Sequence, residues 1–128
     1  MSFYVIIKKS MIDFKKLGFS IKTALKGLGV AVREEQTFKI QLGIGILVLF
    51  LMFCFPLTRI ERAILVLTVS LVLSLELINS QIERILDFLQ PNYDPKVKLI
   101  KDLSAGAVLL SALGSIIIGL LIFLPYVL

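Results

Sequence analysis

The sequence contains no histidine, no tryptophan and only one cysteine, Cys54. A zinc or haem site that depends on imidazole is therefore excluded, and one cysteine cannot build a disulfide framework. Charged residues are also scarce, at 18% of the 128 residues, whereas soluble domains carry about a quarter. The composition thus argues against a soluble domain and against a secreted scaffold held by disulfides.

Long uncharged runs take the place of the missing charge. Hydrophobic residues make up 58% of the chain, and residues 40–58 and 103–128 contain no charged side chain. A helix needs roughly 20 apolar residues to cross a hydrocarbon layer of about 30 Å. We therefore predict an all-α integral membrane protein with a single membrane domain over residues 1–128.

The pattern of apolar and polar residues divides this domain into four helical pieces. In residues 10–33, apolar residues recur at spacings of three and four with lysines along one flank, which predicts an amphipathic helix at the membrane surface. The predicted transmembrane helices are residues 35–56, 62–89 and 102–125. We expect Pro91 and Pro95 to act as helix stops in the connector before the last span, and Pro125 to close that span.

Basic residues are concentrated ahead of the uncharged run that begins at residue 40. Eight of the fourteen lie there, namely Lys8, Lys9, Lys15, Lys16, Lys22, Lys26, Arg33 and Lys39. Such a cluster is compatible with nucleic-acid binding, but beside hydrophobic spans the positive-inside rule and anionic lipid headgroups explain it more simply. We expect no nucleic-acid partner and an N terminus in the cytoplasm.

Glu76 is the most informative residue, because it follows thirteen uncharged residues in the second span. A carboxylate at the centre of a membrane helix costs roughly 2.5–3.5 kcal/mol on insertion scales, and less toward the interface. Asn79, Glu83 and Asp87 follow at spacings of three, four and four, which places all four side chains within about 80° of one helix face. This stripe predicts a reaction site that descends from the cytoplasmic surface into the membrane.

Further carboxylates at Glu34, Glu35 and Asp102 lie near the ends of neighbouring spans. Oxygen ligands without histidine favour Mg²⁺, and Mg²⁺ with few protein ligands usually arrives on a nucleotide, so phosphoryl transfer is a candidate reaction. The chain has no GxxxxGK[ST] loop and no protein-kinase signature. A proton-coupled transporter that uses Glu76 is an alternative, and an inactive assembly subunit is another.

A motif in the second span and a pair at the start of the third carry a family likeness. The residues are Glu76, Asn79, Ser80, Glu83, Asp87, Lys101 and Asp102. In this spacing they resemble the prokaryotic diacylglycerol kinase family, which includes the undecaprenol kinases. The resemblance implies a homotrimer of three-span subunits in the bacterial cytoplasmic (inner) membrane, with active sites between subunits. It implies transfer of the γ-phosphate of MgATP to diacylglycerol, giving phosphatidic acid, or alternatively to undecaprenol.

The same resemblance implies a role for each matching residue. Glu76 would be the general base near the acceptor hydroxyl, and Asn79 would support it. Glu35 and Glu83 would hold Mg²⁺ on the nucleotide. The remaining positions are the nucleotide contacts Tyr93, Lys101 and Asp102 and the lipid contacts Lys16 and Ala105.

Three positions depart from the family pattern. Gln81 stands where a small residue is usual, Asp94 stands where a histidine often follows the tyrosine, and Gln41 replaces a residue that is often acidic or histidine. The implied catalytic carboxylates are all retained.

Overall fold

The computed structural model describes residues 2–128 and every side chain among them except that of Ser10. These residues form five helices and no strand: α1 (Phe3–Ser10), α2 (Phe14–Glu34), α3 (Gln36–Cys54), α4 (Arg59–Leu89) and α5 (Pro95–Val127). Backbone contacts divide the chain into two units, the first ending at Glu34 and the second spanning Glu35–Leu128.

The first unit contains α1 and α2, and Asp13 lies directly before α2. The Asp13 Oδ1 accepts hydrogen bonds from the backbone N–H groups of Lys15 and Lys16, both at 3.1 Å, as a helix N-cap does. The helix therefore begins at Phe14, whereas the sequence pattern placed its start near residue 10. Most apolar residues of α2, including Phe14 and Leu17, are exposed, although Ala31 is buried. Such exposure suits a helix that lies on a membrane.

The second unit contains three helices that are long and apolar enough to cross a membrane. Helix α4 packs against both α3 and α5. The predicted all-α architecture of three spans and an N-terminal helix is confirmed.

Local capping chemistry sets where α4 and α5 begin. The Thr58 hydroxyl accepts from the Glu61 backbone N–H at 3.2 Å, and the Glu61 carboxylate accepts from the Thr58 N–H at 3.0 Å, which is a capping box. The Asp94 carboxylate accepts from the Lys96 N–H at 2.8 Å and caps α5.

Two proline expectations were wrong. Pro95 does not stop a helix but begins α5, because the first helical position needs no N–H donor and proline has a helical φ. Consequently the connector ends at Asp94 and not at Lys101. Pro125 does not close α5 either, since the helix continues to Val127.

The apolar core of the second unit lies at the end where α3 turns into α4. Met52, Leu57, Leu65 and Ile122 are buried there. The Phe55 ring makes an edge contact with Phe123, with ring centroids 5.5 Å apart. Tight packing at this end leaves the polar stripe of α4 at the opposite end.

Candidate active site

Three polar side chains are buried on α4. Glu76 is 3% exposed, Asn79 is 8% exposed and Ser80 is 7% exposed. At about 1.5 Å of rise per residue, Glu76 lies roughly 26 Å from Arg59 along the helix and Glu83 roughly 36 Å. With Arg59 at one boundary of a hydrocarbon layer of about 30 Å, Glu76 lies inside the layer and Glu83 just beyond it.

Asn79 connects the buried end of this stripe to its solvated end. Its Nδ2–H donates to the Glu83 Oε1 at 3.4 Å, and both residues follow Glu76 on the same edge of α4. Because Glu76 is buried, its side chain lies against protein and not against acyl chains. The stripe that the spacing predicts is present.

Glu35 brings a third carboxylate to this group from the start of α3. It occupies the N-cap position of α3, but its side chain makes no capping hydrogen bond, so the carboxylate can extend toward α4. Glu35 and Glu83 both lie close enough to Glu76 for their negative charges to act on it. The packing of α3 against α4 thus brings Glu35 near two carboxylates of α4 that follow it by more than 40 positions.

Arg84 provides a cation beside these carboxylates. Its Nε and Nη2 donate to the Glu35 Oε1 at 3.0 Å and 2.6 Å. Arg84 is not among the residues that the sequence pattern predicts for the site, so this contact was missed. One signal was available, since Arg84 follows Glu76 by eight residues and is therefore rotated from it by only about 80° on a helix.

Two buried oxygens in the group have no hydrogen-bond partner, namely the Glu76 Oε2 and the Asn79 Oδ1. Leaving a buried polar group unsatisfied costs about 1–3 kcal/mol. A site that binds a hydroxyl or a cation would satisfy such oxygens.

Two residues predicted to contact the nucleotide lie on the first turns of α5 and are held by ion pairs. Lys101 pairs with Asp87 of α4, which ties α5 to the solvated end of the stripe. Asp102 pairs with Lys98 on its own helix.

The other predicted contacts are exposed and separate from the carboxylate group. Tyr93 is 81% exposed, and Ala105 is also exposed. Among the described side chains, neither of them nor Asp102 forms a hydrogen bond or ion pair with Glu35, Glu76, Asn79 or Glu83. Lys16 is exposed on α2, in the first unit.

An apolar groove of about 450 Å³ opens between the three membrane helices. Its walls include Gly45 of α3, Val72 of α4 and Phe123 of α5. Gln41, Thr68 and Ser115 also line the groove, but most of its surface is apolar and would give either an acyl or a prenyl chain apolar contacts.

Comparison with known proteins identifies the family to which the chain belongs. The model of the prokaryotic diacylglycerol kinase family matches residues 22–123. The chain belongs to this family.

Three curated relatives illustrate the similarity. The undecaprenol kinase of Bacillus subtilis is 39% identical over 100 residues, which cover 78% of this chain and 81% of that protein. The diacylglycerol kinase of Synechocystis is 35% identical over 107 residues, covering 83% of this chain and 61% of that protein. The diacylglycerol kinase of Escherichia coli K12 is 31% identical over 93 residues, covering 72% and 75%.

As a member of the diacylglycerol kinase family, the protein is an ATP-dependent membrane lipid kinase. This assignment favours phosphoryl transfer over the proton-coupled transporter. A kinase uses its nucleotide together with a divalent metal.

The residues present fit such a metal. Within residues 2–128, no three acidic or cysteine side chains come together closely enough to enclose an ion. A metal that arrives on ATP with phosphate and water ligands needs only one or two protein carboxylates. Glu35 and Glu83 supply oxygen ligands of the kind that Mg²⁺ prefers, beside the unpartnered oxygen of Glu76.

The structure shows where two of the three departures from the family pattern lie. Asp94 caps α5, a task that a histidine would do less well. Gln81 is exposed on α4, outside the buried edge formed by Glu76 and Asn79.

Proposed function

We propose that this kinase transfers the γ-phosphate of MgATP to the hydroxyl of a membrane lipid, with Glu76 as the general base. The burial of Glu76 beside Asn79 and Glu83 is the observation that carries the proposal. A carboxylate with little water around it is a good proton acceptor, and its depth matches that of a lipid hydroxyl just inside the interface.

In the proposed step, the lipid hydroxyl oxygen forms a bond to the γ-phosphorus while the bond from that phosphorus to the β–γ bridging oxygen breaks. The hydroxyl proton passes to Glu76, and ADP leaves. Bound Mg²⁺ would neutralise charge on the phosphate oxygens, held by Glu35 and Glu83. Asn79 keeps the Glu83 carboxylate in position through its hydrogen bond.

We assign the remaining contacts to the two substrates. Lys101, held by Asp87, would face the phosphates as a positive charge. Tyr93 and Asp102 would contact the nucleotide. Lys16 and Ala105 would lie against the lipid.

We also propose a homotrimer in the bacterial inner membrane with a cytoplasmic N terminus. Seven basic residues precede α3 and Lys39 lies in its first turn, whereas only Arg59 and Arg62 lie near the α3–α4 turn. By the positive-inside rule, the more basic side faces the cytoplasm. This orientation places the stripe of α4 on the side where ATP is found.

The acceptor is either undecaprenol or diacylglycerol. The relative named undecaprenol kinase shares 39% identity with the chain and is covered over 81% of its length, against 35% and 31% identity for the relatives named diacylglycerol kinase. This difference favours the polyprenol. Diacylglycerol, the acceptor that the sequence analysis placed first, is the second candidate.

A labelling assay tests the reaction. Purified protein in mixed micelles receives γ-labelled ATP, Mg²⁺ and either undecaprenol or diacylglycerol at equal mole fraction. We expect one of the two lipids to be labelled, labelling to stop on addition of EDTA, and Glu76→Gln to reduce the rate by about 10²–10⁴-fold, the usual contribution of a general base.

Glu61→Gln is the matched control, because Glu61 lies on the same helix at its opposite end, and we expect it to keep its activity. Equal activity of Glu76→Gln and the native enzyme would contradict the role of Glu76. Absence of any lipid labelling by the native protein would contradict the proposed reaction itself.

A further inference from the structure

Arg84 forms an ion pair that joins two helices at the carboxylate group. It lies on α4 directly after Glu83, and its guanidinium reaches Glu35 at the start of α3, 49 positions earlier in the chain. The Arg84 side chain is 51% exposed and that of Glu35 is 24% exposed. Ion pairs exposed to this degree contribute little to stability. Stabilisation of the packing between α3 and α4 therefore does not explain this contact well.

The geometry of the contact is more informative than its strength. Two of the N–H donors of Arg84, on Nε and Nη2, converge on the same oxygen of Glu35, Oε1, at 3.0 Å and 2.6 Å. Two donors on one planar group hold that oxygen in a more defined direction than a single ammonium does. The hydrogen bonds of the pair do not use the Glu35 Oε2.

Charge gives a second reason for a cation at this position. Glu35 and Glu83 each lie within electrostatic range of Glu76, and like charges repel one another. A free Glu35 side chain would relieve this repulsion by turning away toward water. The guanidinium of Arg84 opposes that movement.

We propose that Arg84 is a positioning residue for the divalent metal: it holds the Glu35 Oε1 and thereby presents Oε2 to the metal shared with Glu83. The proposal rests on the proposed function, in which Glu35 and Glu83 hold the metal on ATP. Carboxylates that bind metals are commonly oriented by such outer hydrogen bonds, and their loss typically lowers metal affinity by about 10–100-fold.

The test measures metal affinity without relying on turnover. The full-length protein in detergent is titrated with Mg²⁺ in the presence of a non-hydrolysable ATP analogue, and the melting temperature is recorded at each concentration. Ligand that binds only the folded state raises this temperature by an amount that grows with the logarithm of its concentration divided by its dissociation constant. We define the Mg²⁺ midpoint as the concentration that gives half of the rise seen for the native protein at the highest Mg²⁺ concentration. The variants are Arg84→Gln, which removes the positive charge, and Arg84→Lys, which keeps the charge but lacks the paired N–H donors of a planar guanidinium.

We expect Arg84→Gln to raise this Mg²⁺ midpoint by about 10–100-fold, with a smaller shift for Arg84→Lys. The Mg²⁺ requirement of lipid phosphorylation should shift in parallel, and the KM for the lipid should not change. Arg59→Gln is the control, because Arg59 is an exposed arginine at the opposite end of the same helix.

A purely structural role predicts a lower melting temperature without metal and an unchanged Mg²⁺ midpoint, and that result would overturn the proposal. A lower Mg²⁺ midpoint in Arg84→Gln would overturn it too, because it would mean that arginine competes with the metal. If Arg84→Gln does not fold, an unshifted midpoint in Arg84→Lys decides against it. If the native protein transfers phosphate and neither variant shifts the Mg²⁺ midpoint, this inference alone is rejected. If the native protein shows no stabilisation by Mg²⁺ with the ATP analogue, the proposed function is rejected as well.

Discussion

At the scale of single residues, the site contains buried polar atoms without hydrogen-bond partners, which lower the stability of the folded protein. The Glu76 Oε2 and the Asn79 Oδ1 are buried and have no hydrogen-bond partner. Natural sequences commonly break a rule of local consistency at functional positions. Asn79 is a clear example, because an apolar residue of similar size would fill its place on α4 without an unsatisfied acceptor.

Replacing Asn79 with leucine therefore separates stability from activity. We expect Asn79→Leu to lower the rate of lipid phosphorylation by about 10–100-fold, since Glu83 loses the donor that orients it. The melting temperature should not fall, since a buried unsatisfied oxygen is removed. Rates and melting curves of the variant and of the native protein in one detergent check both expectations.

Gln81→Ala is the control for this experiment, since Gln81 is exposed on the same turn of α4 and alanine restores the small side chain that is usual in the family. It should keep both activity and stability. A variant Asn79→Leu with native activity would show that Glu83 does not depend on Asn79.

At the scale of helices, the approach of α3 to α4 decides whether Glu35 reaches Glu76. Gly45 lies in the contact, and a Cβ built on it would stand 2.9 Å from the Val69 Cγ1. Valine has one strongly preferred rotamer in a helix and cannot easily turn away. Small residues at such contacts let membrane helices approach closely.

Gly45→Ala should consequently destabilise the helix pair. Overpacking costs about 1–3 kcal/mol, and the better helix propensity of alanine offsets up to about 1 kcal/mol of that. The expected result is a lower unfolding free energy in a detergent titration, together with lower activity as Glu35 is displaced.

Two further variants isolate the cause. Gly43→Ala on the same helix should be tolerated, because nothing lies within 4 Å of its Cβ position. Val69→Ala should restore part of the stability lost in Gly45→Ala. Equal destabilisation by Gly43→Ala and Gly45→Ala would refute the close contact as the reason.

At the scale of the whole molecule, the second unit does not enclose a complete nucleotide site. Glu35, Glu76 and Glu83 form one group, whereas Asp102 pairs only within α5, and Tyr93 and Ala105 are exposed. Many large apolar side chains on the three membrane helices are exposed as well, which leaves room for other copies beside lipid. These features agree with the active sites between subunits that the family resemblance implies, and we expect Asp102 to complete the site of a neighbouring subunit.

Mixing two inactive variants tests shared sites. We expect Glu76→Gln and Asp102→Asn each to be inactive alone and to regain activity when co-expressed, because a mixed oligomer contains sites that combine an intact Glu76 with an intact Asp102. The readout is lipid phosphorylation by oligomers that carry two different affinity tags and are purified on both.

The control mixture combines Glu76→Gln with Glu83→Gln. Both residues lie on one edge of α4 in the same chain, so no mixed site contains both intact side chains, and activity should not return. Recovery in the control, or none in the test mixture despite co-purification, would contradict sites shared in this way.

The sequence by itself determined the three spans, the surface helix and the stripe from Glu76 to Glu83. All of these follow from hydropathy and from the 3.6-residue period, which depend on neighbours along one helix. The expectation for Pro95 failed for a related reason: proline is compatible with both the end and the beginning of a helix, and the capping bond of Asp94 selected the beginning.

Only the tertiary structure decided which distant charges meet. Arg84 with Glu35, Lys101 with Asp87, and the hydroxyl of Tyr126 with the Glu61 carboxylate at 2.6 Å each join two helices. No periodic pattern in the sequence specifies such pairs, because they depend on how closely and at what rotation α3 and α5 pack against α4. That packing makes a buried carboxylate on one helix part of a site.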